Sequence, residues 1–265
     1  MLRKILVGLI AGLICGVISY GQFADCSTGL LQMPTAEIQE DGTFMITNNF
    51  INKHSLPTTH WGYNTFQYGI GLSLWGRLEL GYVCTIFNGA WDPNPDKNEY
   101  WTIMRNQDRH FLGRLLLLRE GEFGLSWMPA LVIGVSDPTT ANGYNDYVSS
   151  VMGGGYFNRN YLILTKHFQT RIGTLGVHAG YQLGLRLDYR INAPCAGVNW
   201  QPVWLQQKGI LDSLNLIAEY DSRTINFGCI ASFWKNHFEA MFEIQNFQWI
   251  NFGLRYKIRL KKMNT

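Results

Sequence analysis

Short stretches of this chain alternate apolar side chains with small or polar ones, a pattern typical of β-strands that have one apolar face. The clearest pair covers 66–74 and 78–86, joined by the tight turn 75–77. On the polar face of this pair lie side chains such as Gln67 and Glu79, with several glycines between them. The pattern predicts antiparallel strands, each with one side in an apolar and one in a polar environment.

The alternation predicts about twelve strands, and most have a length that lets a tilted strand cross a bilayer. They cover 43–51, 65–75, 78–87, 110–119, 128–136, 160–168, 174–182, 195–204, 214–221, 224–233, 237–246 and 249–260. Long connections such as 88–109 and 137–159 alternate with short turns, so the long ones gather at one end. Bacterial barrels have an even strand number and this asymmetry. We expect an all-β fold, an antiparallel transmembrane β-barrel.

The last predicted strand argues most directly against a water-soluble core. Arg255, Lys257 and Arg259 alternate with large apolar residues from Ile250 to Leu260. Such a strand fits a barrel with lipid outside and a polar lumen inside.

The N-terminus has the layout of a secretory signal peptide. Arg3 and Lys4 precede an apolar run, 5–18, that is too short to span a bilayer comfortably. Small residues then mark a cleavage site, which predicts a signal peptide at 1–21 and a mature chain from Gln22. An uncleaved membrane anchor is the alternative. A signal peptide before a barrel predicts the outer membrane of a Gram-negative-type bacterium.

A segment at 22–42 separates the signal peptide from the first strand. Pro34 breaks regular structure, and Asp41-Gly42 marks a turn. We expect this segment to enter the lumen as a plug or to lie at the periplasmic mouth. Residues 43–265 are then the barrel, with no second domain.

Composition agrees with a surface that meets lipid. Charged residues make up 15% of the chain, against about 25% in soluble domains. The net charge of +3 does not indicate nucleic acid as a partner. Aromatic residues near the strand ends predict two interfacial rings, although they would also suit the core of a soluble protein. The periplasmic ring would contain Trp75, Trp127, Trp204 and Trp234, and the outer ring Trp61, Tyr63 and Trp249.

Four cysteines follow the signal peptide, and their spacing fits no metal site. Cys84 and Cys229 lie on apolar strand faces. We expect Cys26 and Cys195 outside strands, where an oxidising periplasm would allow them to pair. The sequence leaves this pairing open.

Charged side chains on the predicted lumen faces form the first candidate site. They are Glu79, Arg114, Glu219, Asp221, Glu239, Glu243, Arg255, Lys257 and Arg259. Opposite charges of this kind pair across a barrel and stiffen it, or they line a channel for a polar solute. The sequence does not decide between a plugged and an open lumen.

Catalysis is the weakest interpretation of these residues. Glu219 and Asp221 are about 7 Å apart along a strand, a separation compatible with glycoside hydrolysis, but ion pairing with an arginine explains them more simply. His178 has no serine near it in the sequence, and no metalloprotease or phosphate-loop motif occurs. We therefore expect no enzyme, no cofactor and no metal, with an outer-membrane hydrolase as the remaining alternative.

The long loops form a second candidate site, because aromatic rings with Asp and Asn side chains can stack on sugars and bond their hydroxyls. The candidate glycan-contact residues are Trp91, Asp92, Tyr100, Trp101, Tyr144 and Tyr147. Ordinary surface loops have a similar makeup.

The motif GLLQMPTA at 29–36, followed by DGT at 41–43, resembles the opening of the YjbH-like outer-membrane proteins. Further matching landmarks lie at 52–57, 60–64, 107–109, 114, 165–168 and 219–221. The resemblance implies a short, single-barrel member of a family associated with exopolysaccharide operons. It implies a non-enzymatic accessory role in exopolysaccharide or capsule export or assembly. Expected partners are exopolysaccharide, export machinery, outer-membrane lipid and lipopolysaccharide, and the alternative is a narrow pore or structural barrel unrelated to polysaccharide.

Overall fold

The structure is a computed structural model. It describes residues 25–57, 61–91, 101–138, 155–184, 189–205 and 210–260, with side chains except at 87–91 and 101–106. The predicted signal peptide at 1–21 lies outside these residues. Within the described chain, no helix is long and apolar enough to cross a membrane.

Twelve antiparallel strands form one closed barrel, which confirms the predicted fold class. The strands are β1 (Thr43–Ile51), β2 (Thr65–Leu74), β3 (Leu78–Trp91), β4 (Trp101–Leu118), β5 (Ala130–Ser136), β6 (Arg159–Thr170), β7 (Gly173–Gly184), β8 (Ile191–Pro202), β9 (Leu211–Tyr220), β10 (Ile225–Phe233), β11 (Phe238–Gln245) and β12 (Trp249–Arg259). Each strand pairs with its neighbours in sequence. The barrel closes where β1 pairs with β12, from Thr43 opposite Arg259 to Phe50 opposite Phe252.

The two ends of the barrel differ in their connections. At one end, here named the short-turn end, the connections include 75–77, 171–172 and 234–237. At the other, the long-loop end, they include 52–64 and 137–158. The barrel begins and ends at the short-turn end, because the first residue of β1 pairs there with the last residue of β12.

Two predicted boundaries were wrong because hydrophobic alternation detects only the part of a strand that has an apolar face. The predicted loop 88–109 is largely strand, since β3 reaches Trp91 and β4 starts at Trp101. The predicted strand 195–204 begins at Ile191 instead. This added part of β8 contains Pro194, paired with Tyr181, and proline is uncommon inside strands.

Side chains alternate between the inside and the outside of the barrel as the sequence predicts. On β2, Gln67 and Ser73 are buried, whereas Phe66, Tyr68 and Ile70 are 36–46% exposed. The largest apolar cluster lies inside the barrel. The molecule therefore has a filled interior and an apolar outer wall.

The four cysteines in the described residues are free thiols. Cys195 lies on β8, so the expectation that it lies outside a strand was wrong. Cys26 packs with Met45 and Val83, whereas Cys195 belongs to the larger interior cluster. Burial raises the pKa of the Cys26 thiol to about 11, so this thiol stays protonated at neutral pH.

Candidate functional site: a plugged lumen

Residues 25–42, here named the plug, run through the inside of the barrel before β1 begins. Most of their side chains are buried, with Leu30, Leu31 and Met33 at 0% exposure. The middle of the plug is a compact loop, closed by a bridge between Gly29 and Pro34 and by a 2.8 Å hydrogen bond from Leu30 N to Met33 O. A proline-containing loop leaves many backbone groups without strand partners, so the barrel wall has to supply them.

Glu219 of β9 binds the tip of the plug. One carboxylate oxygen accepts hydrogen bonds from the backbone N–H groups of Gln32 (2.6 Å) and Met33 (3.2 Å), and the other accepts one from Leu31 (2.9 Å). The Asn226 amide also donates to this carboxylate, at 3.0 Å. Successive backbone N–H groups of this kind form a concave anion site. Glu219 therefore acts as an anchor for the plug, and this account replaces the carboxylate pair considered from the sequence.

Arg114 of β4 and Glu79 of β3 hold the two sides of the plug loop, around Thr28 and at 35–39. The Arg114 guanidinium donates to the carbonyl oxygens of Thr28, Thr35 and Glu37. Glu79 accepts hydrogen bonds from Thr28 N (3.1 Å) and from Gln39 N (2.8 Å). Arg114 and Glu79 also pair with each other, at 3.6 Å. This ion pair therefore accepts hydrogen bonds from N–H groups of the plug through Glu79 and donates to its carbonyl oxygens through Arg114.

Asp25, the first described residue of the plug, lies in a buried cluster towards the long-loop end. It pairs with Arg159 at 2.6 Å and with His110 at 3.2 Å, and it accepts a 2.9 Å hydrogen bond from the Ser136 hydroxyl. Burial alone would raise the pKa of Asp25, but Arg159 and the His110 ring outweigh burial and hold it well below its usual range. Asp25 is therefore ionised and fixes the start of the plug to three strands.

Glu37 fixes the other part of the plug near the short-turn end. It pairs with the His167 ring at 2.8 Å, and the second ring nitrogen of His167 lies 2.7 Å from Glu120 in the β4–β5 connection. Burial alone would raise the pKa values of both carboxyls. Hydrogen bonds from His167 outweigh burial, so the pKa of Glu37 is lowered and that of Glu120 falls to about 2.

Apolar contacts complete the union of plug and wall. Leu30, Leu31, Met33 and Ala36 form one cluster with apolar side chains of the surrounding wall. The wall members of the cluster are Leu116, Ala130, Val132, Tyr161, Ile163, Cys195, Ile217, Ile230 and Met241. The plug is therefore part of the hydrophobic core of the protein.

Glycines on the lumen face of β2 let the plug backbone approach the wall. A Cβ atom added at Gly71 would lie 2.5 Å from Cys26 O, and one at Gly69 would lie 3.0 Å from the Cys26 Cβ. Any larger residue at these two positions would displace the plug. The close packing of the plug against β2 thus explains why these two lumen-facing positions are glycines.

A second cluster of buried apolar side chains covers the lumen at the long-loop end. Trp61, at 0% exposure, packs with Ile51, Leu56 and Phe157, and we name this cluster the outer cap. The His110 ring stacks on Phe157 at 4.6 Å. The prediction that Trp61 belongs to an exposed aromatic ring was therefore wrong, because the β1–β2 loop folds inwards over the lumen.

Four more of the predicted lumen charges form two groups, one around Glu239 and one around Glu243. Glu239 pairs with Lys257 at 2.5 Å and with Arg255 at 3.7 Å, and Arg255 donates to Ser27 O of the plug at 3.0 Å. Glu243 accepts hydrogen bonds from the Gln32 side chain (2.9 Å) and from Asn251 (2.8 Å). These residues lie in the lumen as expected.

Two of the nine predicted lumen charges lie at the ends of the barrel. Asp221 follows β9 and accepts hydrogen bonds from the backbone N–H groups of Arg223 (2.9 Å) and Thr224 (2.6 Å), so it shapes a turn. Arg259 is exposed at the short-turn end, where it pairs with Glu40 at 3.1 Å. The placement of Arg259 in the lumen was wrong, because it stands at the end of β12, where alternation no longer determines which way a side chain faces. Asp221 is buried, at 8% exposure, beside Gln32 of the plug and Arg159, which agrees with its predicted lumen position.

The candidate glycan-contact residues are mostly outside the described chain. Trp91 and Trp101 are opposite one another at the end of the β3–β4 pair. Asp92, Tyr100, Tyr144 and Tyr147 lie outside the described residues.

The lumen also contains a buried histidine, His178, at 1% exposure. His178 contacts Thr165 at 2.9 Å and Asn199 at 2.7 Å. Among the residues that the structure describes, no group of three or more His, Cys, Asp or Glu side chains is placed to hold a metal ion.

Sequence reasoning missed the cluster around Asp25. His110, Ser136 and Arg159 are buried and contact Asp25, but all three stand at or next to the ends of the predicted strands, where alternation gives little information about which way a side chain faces. Asp25 itself precedes the strands and has no periodic pattern that could reveal its partners.

These features define a twelve-stranded β-barrel whose lumen is filled by its own N-terminal segment. The family model described as exopolysaccharide biosynthesis protein YbjH matches residues 20–262, and the chain belongs to this YjbH family. No curated protein sequence matches the chain. The family assignment therefore confirms the resemblance seen in the 29–36 motif, which is the loop of the plug.

Proposed function

We propose that this protein is a plugged outer-membrane barrel that serves as a non-enzymatic accessory in exopolysaccharide export or assembly. The single observation that carries the link to polysaccharide is the match of nearly the whole chain to the exopolysaccharide biosynthesis family. The geometry of the lumen supports an accessory role over that of a pore.

The outer wall supports a location in a membrane. Ile46, Ile250, Phe252 and Leu254 are 45–50% exposed on the outer face of β1 and β12. An apolar band of this kind is stable in hydrocarbon and costly in water. A closed barrel also leaves no strand edge with unpaired backbone groups in the bilayer.

Aromatic side chains at both ends of the wall fit the two interfaces of a bilayer. Trp75, Trp127, Trp204 and Trp234 lie at the short-turn end and are 49–72% exposed. At the long-loop end, Phe50 stacks on Phe252 at 4.8 Å, and His54 stacks on Trp249 at 5.4 Å. Such rings anchor barrels at headgroup level.

The plug favours an accessory role over a pore. It is held by Glu219, Arg114 and Glu79 and by a continuous apolar cluster, and the outer cap covers it. Removing such contacts would leave buried ionised groups without partners, at a cost of several kcal/mol for each. A barrel closed in this way contributes its rims and wall to an assembly and leaves passage of the polymer to another component.

The test is the amount of secreted polysaccharide in a strain that lacks the gene. We expect a clear loss on deletion and recovery with the unchanged gene. A Glu219→Gln variant keeps the size of the side chain and weakens the anchor of the plug, whereas Glu40→Gln changes an exposed carboxylate at the rim and is the matched control. Unchanged polysaccharide after deletion would overturn the proposed role.

A further inference from the structure

The outer wall carries an apolar groove, open along its outer side, that the proposed role does not use. It crosses the wall from β3 to β7 and has a volume of about 570 Å³. Leu115, Ile133, Leu162 and Leu183 line it and are 39–47% exposed.

The groove has a local cause in the sequence. Gly113 faces outwards on β4, between Phe111 and Leu115, where the other outward positions carry large side chains. A Cβ atom added there would meet only Leu80, at 3.6 Å, so the space above Gly113 is open. The adjacent β5 is the shortest of the twelve strands, with seven residues.

The two ends of the groove differ in polarity. It starts at Leu78, next to the short-turn end. Towards the long-loop end it reaches the Tyr181 hydroxyl, which donates to the Asn192 side chain at 2.8 Å, and Asn160, which donates to Leu183 O at 3.2 Å.

Two exposed arginines lie further towards the long-loop end than the groove. Arg109 is exposed on the outer face of β4, four residues from Gly113 towards the long-loop end. Arg190 is exposed directly before β8, at the same end of the barrel. The groove is thus mainly apolar, and two exposed arginines lie further towards the long-loop end, on β4 and directly before β8.

We propose that this groove binds an acyl chain of lipid A, with the phosphorylated headgroup at the long-loop end near Arg109 and Arg190. The proposal rests on the proposed outer-membrane location, because the groove is continuous with the wall that faces lipid there. A peptide strand is disfavoured, since the closed barrel offers it no free strand edge. The groove spans four strand spacings, about 19 Å, a length suited to an extended hydrocarbon chain.

Gly113→Leu is the variant that tests the groove. The added side chain would occupy the open space of the groove, and its Cβ atom would not clash with the backbone. The barrel is therefore expected to fold. Ala231→Leu places the same side chain on the outward face of β10, on another part of the wall, and is the matched control.

The measurement is native mass spectrometry of the full-length protein, purified from membranes in detergent and titrated with hexa-acylated lipid A. The unchanged protein and Ala231→Leu should carry one lipid A. For Gly113→Leu we expect affinity to fall roughly tenfold, which corresponds to about 1.4 kcal/mol. Equal binding by Gly113→Leu would overturn the proposal.

A parallel titration with phosphatidylethanolamine tests the headgroup. We expect weaker binding than for lipid A, and equal binding would overturn the assignment to lipid A. Recovery of the protein in the soluble fraction would instead contradict the proposed location. Unchanged polysaccharide on gene deletion would contradict the proposed role alone, so the failures are distinguishable.

Discussion

The inside and the outer wall of this barrel are built by the same strands and follow opposite rules. Inside, Glu79 and Arg114 are almost completely buried, whereas Ile70 on the outer face is 46% exposed. Many of the interior charges contact the backbone of the plug or one another. The wall exposes apolar surface that needs an apolar environment. The comparison teaches that the polarity of this lumen stabilises a plug, which is a different use from lining a channel.

The largest expected effect comes from removing a buried interior charge. Arg114→Met leaves Glu79 without its ion-pair partner and three plug carbonyls without a donor. We expect the free energy of unfolding to fall by about 3–5 kcal/mol, measured by urea denaturation in lipid vesicles. Arg109→Met, on the exposed outer face of the same strand, should change it by less than about 1 kcal/mol. Equal losses in the two variants would contradict the distinction between lumen and wall.

The next effect tests the wall. Ile70→Arg places a charge near the middle of β2, on the outer face. We expect a loss of about 2–4 kcal/mol in vesicles, measured by the same unfolding assay. Ile70→Leu is the control for a change of shape. A neutral effect of the arginine would show that water, and not lipid, covers this face.

A smaller difference in the free energy of unfolding is expected between the same truncation in the packed interior and on the outer wall. Ile163→Val removes a methylene from the closed cluster around the plug and should cost about 1 kcal/mol. Ile46→Val removes the same group from the exposed wall, where lipid chains can fill the space, and should cost less. The two free energies of unfolding, determined side by side, sharpen the comparison, and a larger loss at Ile46 would reverse it.

The smallest expected effect is on how the free energy of unfolding depends on pH in the acid range. The folded-state pKa of Glu120 is lowered from 4.5 to about 2, so its contribution to stability is complete above its unfolded value and is lost as the pH falls towards 2. Because Glu120 is partly exposed, we expect less than about 1 kcal/mol. The unfolding free energy, followed from about pH 5 to about pH 2, should depend less steeply on pH in Glu120→Gln than in the unchanged protein. Identical slopes would show that the His167–Glu120 contact contributes nothing.

The sequence predicted the wall of the barrel better than its contents. Alternation with a period of two determines which side chains of a strand face inwards, so Glu219, Glu243 and Arg255 were placed correctly. It gives no information about irregular segments. The contacts of Asp25, the burial of Trp61 and the turn position of Asp221 depend on how loops and the plug fold onto the strands.

The sequence predicted which charged side chains line the lumen, but it did not predict that they bind the plug. Glu219 binds three successive N–H groups of a loop almost two hundred residues away in sequence. Only the closed barrel brings the loop and the carboxylate together. The GLLQMPTA motif that carries the family resemblance is this same loop, which connects the most recognisable part of the sequence with the contents of the lumen.

The central claim is that the protein is inserted in a membrane and closed by its own N-terminal segment. The most direct measurement is the single-channel current of the unchanged protein in planar lipid bilayers, after insertion has been verified by protection of the barrel from protease. We predict verified insertion with no stepwise current. Stable conductance steps in the inserted protein would contradict the account.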